Sequence, residues 1–268
     1  MATTSGFTFS IEHINNISDQ LGIPWEPTKD TPFSLKPTFM GFEWDLENKT
    51  VALTHGKRDK YLSAITEWRK SAKHTLEDTQ KLHGRLSHAS LTIPEGSAYL
   101  TSLQAMLGIF GSNPFMPCTP PHGLTADLQW WCNTLISSPP LPIPHHTHSL
   151  DLNAFSDASS GFGLAVTIRD RWHAWRLYKE WKRDERDIGW AESVTFKMLI
   201  RILLTIDSSS TPLMAYGDNQ GVIKAWRKGC SNNKPTNRSF QQIHAILVSP
   251  PHRVFTKYIP SKRWLFSG

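Results

Sequence analysis

Three carboxylates in the second half of the sequence have the residue type and setting for metal-assisted chemistry. Asp157 closes the alternating apolar run "LNAFSD" and is followed at once by Ala158, Ser159, Ser160 and Gly161. Glu192 lies 35 positions further on, at the start of the long amphipathic stretch "GWAESVTFKMLIRILLTID", and Asp218 ends "LMAYGD" after another 26. A carboxylate at the end of an apolar strand costs free energy unless water, hydrogen bonds or a cation compensates it. If the strands ending at Asp157 and Asp218 are neighbours with the helix packed across them, all three groups converge at the strand ends, where open α/β sheets place their sites. Converging carboxylates raise one another's pKa unless a divalent cation neutralises them, and hard oxygen ligands suit Mg²⁺ or Mn²⁺. Such a cluster is suited to phosphodiester hydrolysis, with Asp157 the candidate for bridging two cations. The small residues after Asp157 would let a nucleic-acid backbone come close. Each carboxylate also has an ordinary use: Asp157 in a turn, Glu192 as a first-turn charge on the helix dipole, Asp218 as a helix cap.

The elements that must position these groups are legible in the pattern. "LNAFSD", "GFGLAVTI" and "WHAWRLY" read as three short strands joined by "ASS" and "RDR" turns. Ala191, Val194, Met198, Ile202 and Ile206 recur at three- and four-residue intervals, an amphipathic helix. "LMAY" reads as a buried strand, "NQGVIKAWRKG" as a short helix stopping near Gly229, "RSFQQIHAIL" as another helix and "RVFTKYI" as a last strand. The fold class is α/β, in the order strand, strand, strand, helix, strand, helix, helix, strand. The Trp-rich segment "RWHAWRLYKEWKRDERDIGW" offers rings for base stacking, while Trp172 and Trp175, alternating on one strand, suit core or edge packing.

Upstream, "PTFMGFEWDLENKTVAL" reads as two strands around an Asn-containing turn, followed by a helix in "KRDKYLSAITEWRKSA". "YLTSLQAMLGIF" and "LTADLQWWCNTLI" read as helices, with "NPFMPCTPPHG" a loop between them. The Pro-rich "SSPPLPIPHHTHS", residues 137–149, is a linker, because its Pro density is incompatible with helix or sheet interiors. His145, His146 and His148 within it lack a rigid frame for a metal. Three parts are therefore expected: a mixed, mostly helical region over 1–136, the linker over 137–149, and an α/β domain over 150–268.

Composition bounds the partners. A chain of 268 residues with 39% hydrophobic residues, 11 Trp and 13 Phe is globular, and no apolar run approaches the roughly 18 residues of a membrane span. "MATTSGFTFS" lacks the basic and apolar regions of a secretory signal, so an intracellular location, cytoplasmic or nuclear, is expected. Cys118, Cys132 and Cys230 form neither a disulfide framework nor a metal-binding spacing. The net charge is +6, and no Asp or Glu follows Asp218, while Lys224, Arg227, Lys228, Lys234, Arg238, Arg253, Lys257, Lys262 and Arg263 do. A solvated face normally mixes signs, so this stretch points to phosphate contact.

"FSDASSGFGLAV", "GWAESVTFKML", "YGDNQGVIKAW" and "KYIPSK" resemble the successive catalytic blocks of the ribonuclease H domain of retroelement reverse transcriptases, over residues 151–263. "LGIPWEPTKD", with Gly22 and Lys29, is similar to the late palm motif, and "TFMGFEWDLENKTVAL" to the primer-grip hairpin. "KLHGRLSHASLTIPEGSAYLTSL" and "LTADLQWWCNTL" resemble the thumb and connection of fungal elements of the tyrosine-recombinase (DIRS-like) type. The resemblance implies a ribonuclease H-like fold, a five-stranded mixed sheet with helices, preceded by a smaller, mostly helical thumb/connection-like region. It implies an RNA-DNA hybrid as partner and hydrolysis of its RNA strand. Asp157, Glu192 and Asp218 would be the catalytic and metal-binding residues. Asn219 and Gln220 would donate hydrogen bonds to the RNA strand, and Arg238, Lys257 and Lys262 would hold phosphates.

Two departures qualify the carry-over. No adjacent Asp pair occurs, so the polymerase's paired-aspartate turn is missing and DNA synthesis by this chain alone is not expected. The family's fourth carboxylate has no counterpart after Asp218, which would weaken the hold on the metal that positions the water; the chain is read as truncated at its C-terminus. A catalytically inactive nucleic-acid-binding remnant is the alternative. A transposase or integrase needs its Glu last in order, and here Asp218 follows Glu192; a nucleotide-dependent metabolic enzyme would need a phosphate loop, and neither GxGxxG nor GxxxxGK[ST] occurs.

Overall fold

The computed structural model describes residues 10–23, 26, 28, 31–111, 113–143, 148–206, 211–247 and 252–260. The chain divides into two compact units, residues 1–60 with 139–143, and residues 61–138 with 144–268. In the first, helix α1 (Ile11–Gln20) precedes strands β1 (Thr38–Phe39), β2 (Phe42–Asp45) and β3 (Thr50–Leu53). The expected turn joins β2 to β3: the Asp45 carboxylate accepts from the Asn48 backbone and side-chain N–H groups, both at 2.9 Å. The Pro-rich segment is more than a linker, because β4 (Leu141–Pro142) pairs with Val51 and Thr50 at the edge of this antiparallel sheet. An edge tolerates Pro, which has no N–H to donate. His145 and His146 lie outside the described residues.

Helix α2 (His55–Trp68) runs into the second unit, which continues with α3 (Leu76–Ala89), a 3-10 helix (Pro94–Tyr99), α4 (Thr101–Leu107) and α5 (Leu124–Ser137). The apolar positions of α3 are too sparse to mark a helix by periodicity. Its start is nonetheless written in a capping box, with Thr75 Oγ1 accepting from Asp78 N and the Asp78 carboxylate accepting from Thr75 N. Ile65, Leu86, Leu103, Met106 and Trp131 are fully buried.

The second sheet comprises β5 (Ala154–Ala158), β6 (Gly163–Ile168), β7 (Arg171–Arg176), β8 (Leu213–Gly217) and β9 (Val254–Tyr258), in the order β7-β6-β5-β8-β9. β5, β6 and β7 form an antiparallel meander, while β5-β8 and β8-β9 are parallel. Helices α6 (Ile188–Ile206), α7 (Gln220–Lys228) and α8 (Lys234–Leu247) complete it. This topology is the ribonuclease H-like fold. α7 stops at Gly229, whose φ of 83° suits glycine. α8 begins a turn earlier than its apolar pattern, because Asn233 Oδ1 accepts from Thr236 N at 3.0 Å and Pro235 fits a first turn.

The core gathers Ala154, Val166, Ile168 and Ala215 from the strands with Phe196, Leu199, Ile200 and Leu203 of α6 and Phe240 and Ile243 of α8. The apolar stripe expected for α6 is not its inner face. Val194, Met198 and Ile202 are only partly buried and Ile206 is 54% exposed. α6 packs against both the sheet and α8, so it is apolar over a wide arc and periodicity alone does not centre that arc. Trp175 packs into the core, whereas Trp172 is 76% exposed. No helix among the described residues is long and apolar enough to cross a membrane.

Two polar features lock the second unit together. Asn237 Nδ2 donates to Ala98 O (2.7 Å) and Thr101 Oγ1 (3.2 Å) while its Oδ1 accepts from Ser231 N, so α8 is fastened to the 3-10 helix through a satisfied, buried amide. His244 stacks on Trp226 with centroids 4.9 Å apart, its Nε2 unpartnered, and burial pushes its pKa down to about 4, partly offset by a hydrogen bond to Gly229. The unfolded chain takes up this proton near pH 6.5. His244 therefore contributes stability that is intact above about 6.5 and falls as pH drops toward about 4, by roughly 3 kcal/mol in total. His244→Phe is expected to flatten that acid limb in thermal melts between pH 7.5 and 4.5; an unchanged limb would place the acid sensitivity elsewhere.

Candidate metal centre

Asp157, Glu192 and Asp218 each present a carboxylate oxygen, and these atoms all lie within 4.8 Å of one another. β5 supplies Asp157 and β8 delivers Asp218, on adjacent parallel strands whose register pairs Ser156 with Gly217. Glu192 comes from α6, which packs across β5 and β6. The ordinary uses of these residues do not fit their positions. Asp157 is inside the strand rather than in the 159–162 turn, and Asn219, not Asp218, caps α7 by accepting from Val222 N at 3.1 Å. Glu192 is the fifth residue of α6 rather than a first-turn charge, and it is only 6% exposed. The macrodipole acts within the first turn.

The electrostatics follow from that geometry. Burial, then the Asp157 and Asp218 charges, push Glu192 up to about 8, with partial relief from a backbone hydrogen bond at Ala158. Burial first and Asp218 second also raise Asp157. Three oxygen donors held close at an energetic cost fit a hard divalent cation, whose charge would reverse that cost. Behind Glu192 the cavity lined by Ser156, Phe196, Gly217 and Asn219 measures only about 10 Å³, room for one water at most. No small molecule fits in it.

No protein-family model matches the chain. No curated protein matches it either. Among solved structures it is similar to a foamy viral protease-reverse transcriptase, the dRH form in complex with double-stranded DNA, at 15% identity and a TM-score of 0.41 over 94% of this chain and 43% of that one. It is also similar to a foamy viral protease-reverse transcriptase in complex with double-stranded DNA, at 15% identity and a TM-score of 0.38 over 93% of this chain and 51% of that one. The chain thus spans about half the length of these structures or less. The fold assignment above rests on strand order.

The remaining expected residues are placed with different closeness. Asn219 spends its Oδ1 on the α7 cap, so donation to a substrate falls to Nδ2. Gln220 is exposed on the first residue of α7. Lys257 is exposed on β9 in register with Tyr216 and, through it, Phe155, one pleat before Asp157. Arg238 is exposed on α8, outside the cluster, and Lys262 lies outside the described residues. Trp181, in the Trp-rich segment offered for base stacking, is instead 6% exposed in a small cluster beside the site. Its surroundings, "YKEWKRDERD", have no apolar period to reveal a buried ring.

Proposed function

We propose that this chain is the late palm, thumb and connection plus ribonuclease H part of a retroelement reverse transcriptase, and that Asp157, Glu192 and Asp218 hold Mg²⁺ or Mn²⁺ for hydrolysis of the RNA strand of RNA-DNA hybrids. The observation that carries the reading is the meeting of three carboxylates at adjacent parallel strand ends of this fold. A polymeric substrate lying across the surface is compatible with that site. The fungal, tyrosine-recombinase-type assignment rests on the quoted motifs, and the division at 137–149 on the Pro density of that segment.

Asp157, Glu192 and Asp218 would hold the divalent cation, which when bound would supply Lewis-acid activation of a phosphate and a water of lowered pKa. Asp157, on the strand that pairs with β8 and packs against α6, would be the ligand shared between cations, and Glu192 and Asp218 would complete the donor set. Asn219 Nδ2 and Gln220 orient the RNA strand, and Lys257 and Arg238 hold phosphates. Recognition through shape and 2′-hydroxyls suits a site without a base-reading pocket. DNA synthesis is not expected of this chain alone.

The test is cleavage of an end-labelled RNA-DNA hybrid in Mg²⁺ and in Mn²⁺, against single-stranded RNA and duplex DNA. Metal-dependent cutting confined to the hybrid's RNA strand is the expected result. Salt-sensitive hybrid binding without cutting in either metal would overturn hydrolysis and leave the second reading, a nucleic-acid-binding protein without catalysis.

A further inference from the structure

Between β7 and α6 the chain makes an excursion, residues 177–187, that returns to the site. Its charges balance, with Lys179, Lys182, Arg183 and Arg186 against Glu180, Asp184, Glu185 and Asp187. The segment is therefore no basic patch. What it does carry inward is one large ring. Trp181 joins Ala158, Leu164 and Ala191 in a buried cluster of its own, apart from the main core. Ala158 directly follows Asp157, and Ala191 directly precedes Glu192. Leu164 is the cross-strand partner of Ala158 and is itself paired with Trp175 on β7.

The ring is held from several sides. Trp190, two residues before Glu192, stacks on it at 5.9 Å, and the Lys182 ammonium lies 5.5 Å over its face. Arg186 lies 4.9 Å over Trp190 and also donates to the Tyr178 hydroxyl. Asp187 Oδ1 accepts from Trp190 N at 2.9 Å, and Asn233 Nδ2 donates to Glu185 O at 2.9 Å, which ties the segment to the start of α6 and to the turn before α8. In this cluster the indole is the one large ring among Ala158, Leu164 and Ala191, so it supplies volume that the two alanines next to the carboxylates do not. Close packing makes such a cluster stiff, since removing the ring leaves a void that its neighbours close only by moving.

We infer that Trp181 is a positioning residue, a wedge that fixes the separation of the β5 end from the first turns of α6 and thereby the Asp157–Glu192 spacing that a divalent cation needs. The inference rests on the proposed metal site. Site geometry must be held to within about half an ångström to work, so a wedge has leverage on metal affinity out of proportion to its distance from the ligands.

Mn²⁺ binding by the otherwise unaltered chain, followed by electron paramagnetic resonance, tests this apart from activity. Trp181→Ala is expected to weaken Mn²⁺ affinity about tenfold or more, within the range seen when supporting partners of metal ligands are lost. Trp181→Phe, which keeps most of the ring, is expected to recover much of that loss and is the variant to rely on if Trp181→Ala does not fold. Ile243→Ala, in the main core away from the cluster, serves as the comparison for stability. Equal Mn²⁺ affinity in Trp181→Ala and wild type, or an equal loss in Ile243→Ala at the same drop in melting temperature, would overturn the wedge while leaving the metal site standing. Wild-type protein that binds no Mn²⁺ would overturn both.

Discussion

Asp157→Asn is expected to lower hybrid cleavage on the order of 10²–10³-fold, as for other single electrostatic contacts to a reacting centre, and at the same time to raise the melting temperature of the metal-free protein. The second half of this expectation separates a built site from a structural network. In the metal-free chain Asp157 stands against Glu192 and Asp218 with burial and like charge both opposing ionisation. Removing one charge relieves that repulsion, which a calorimetric scan reads as a higher melting temperature. Sites evolved to hold cations commonly cost stability when empty. A lower melting temperature with cleavage unimpaired would show Asp157 to be a structural hydrogen-bonding group and remove it from the site.

Gly163→Ala is expected to be the most damaging small substitution near the site. Gly163 opens β6 at a φ of 155°, and a Cβ there would lie 1.9 Å from the Trp175 carbonyl oxygen and 2.9 Å from its carbon. Both are backbone atoms of the paired strand β7, so no side chain can step aside. The Gly163 carbonyl also accepts from Ser159 N at 2.7 Å, closing the turn that follows Asp157. The strands must part, at a cost of about 3 kcal/mol, the upper part of the overpacking range, or about 10 °C in melting temperature. Ser160→Ala, which adds no atom to the same turn, is the control; a melting temperature for Gly163→Ala within about 2 °C of wild type would mean that β6 and β7 are not paired at Gly163.

The sheet of the second half was legible because each of its strands is short, alternates and is bounded by turn residues, so β5 to β9 fall within a residue or two of their expected places. The carboxylates were legible for a different reason: charge is scarce in such apolar stretches, and each of the three lies within a few residues of an element's end. What pattern alone did not yield depends on neighbours distant in sequence. The inner face of α6 is chosen by α8 and the sheet together, so Phe196, Leu199 and Leu203 displace the more regular stripe through Ile206. β4 exists because β3 offers an open edge to Leu141 and Pro142, a fact with no local signature in a run of prolines. Trp181 is buried by a fold-back among charged residues, where composition argues for solvent.

The parallel pairing of β5 with β8 bears on how the molecule comes into being as well as on what it does. Asp157 and Asp218 are 61 residues apart in the chain and become neighbours only after the whole crossover through β6, β7 and α6 has closed. The meander β5-β6-β7 needs only local loops, which close quickly, whereas the crossover carries the larger loop entropy and the slower step. The three carboxylates are therefore strangers for most of the folding reaction, and their mutual repulsion falls on the late, long-range step. A divalent cation present during refolding would act there: it has no site to occupy until the crossover closes, and then it makes closure harder to undo.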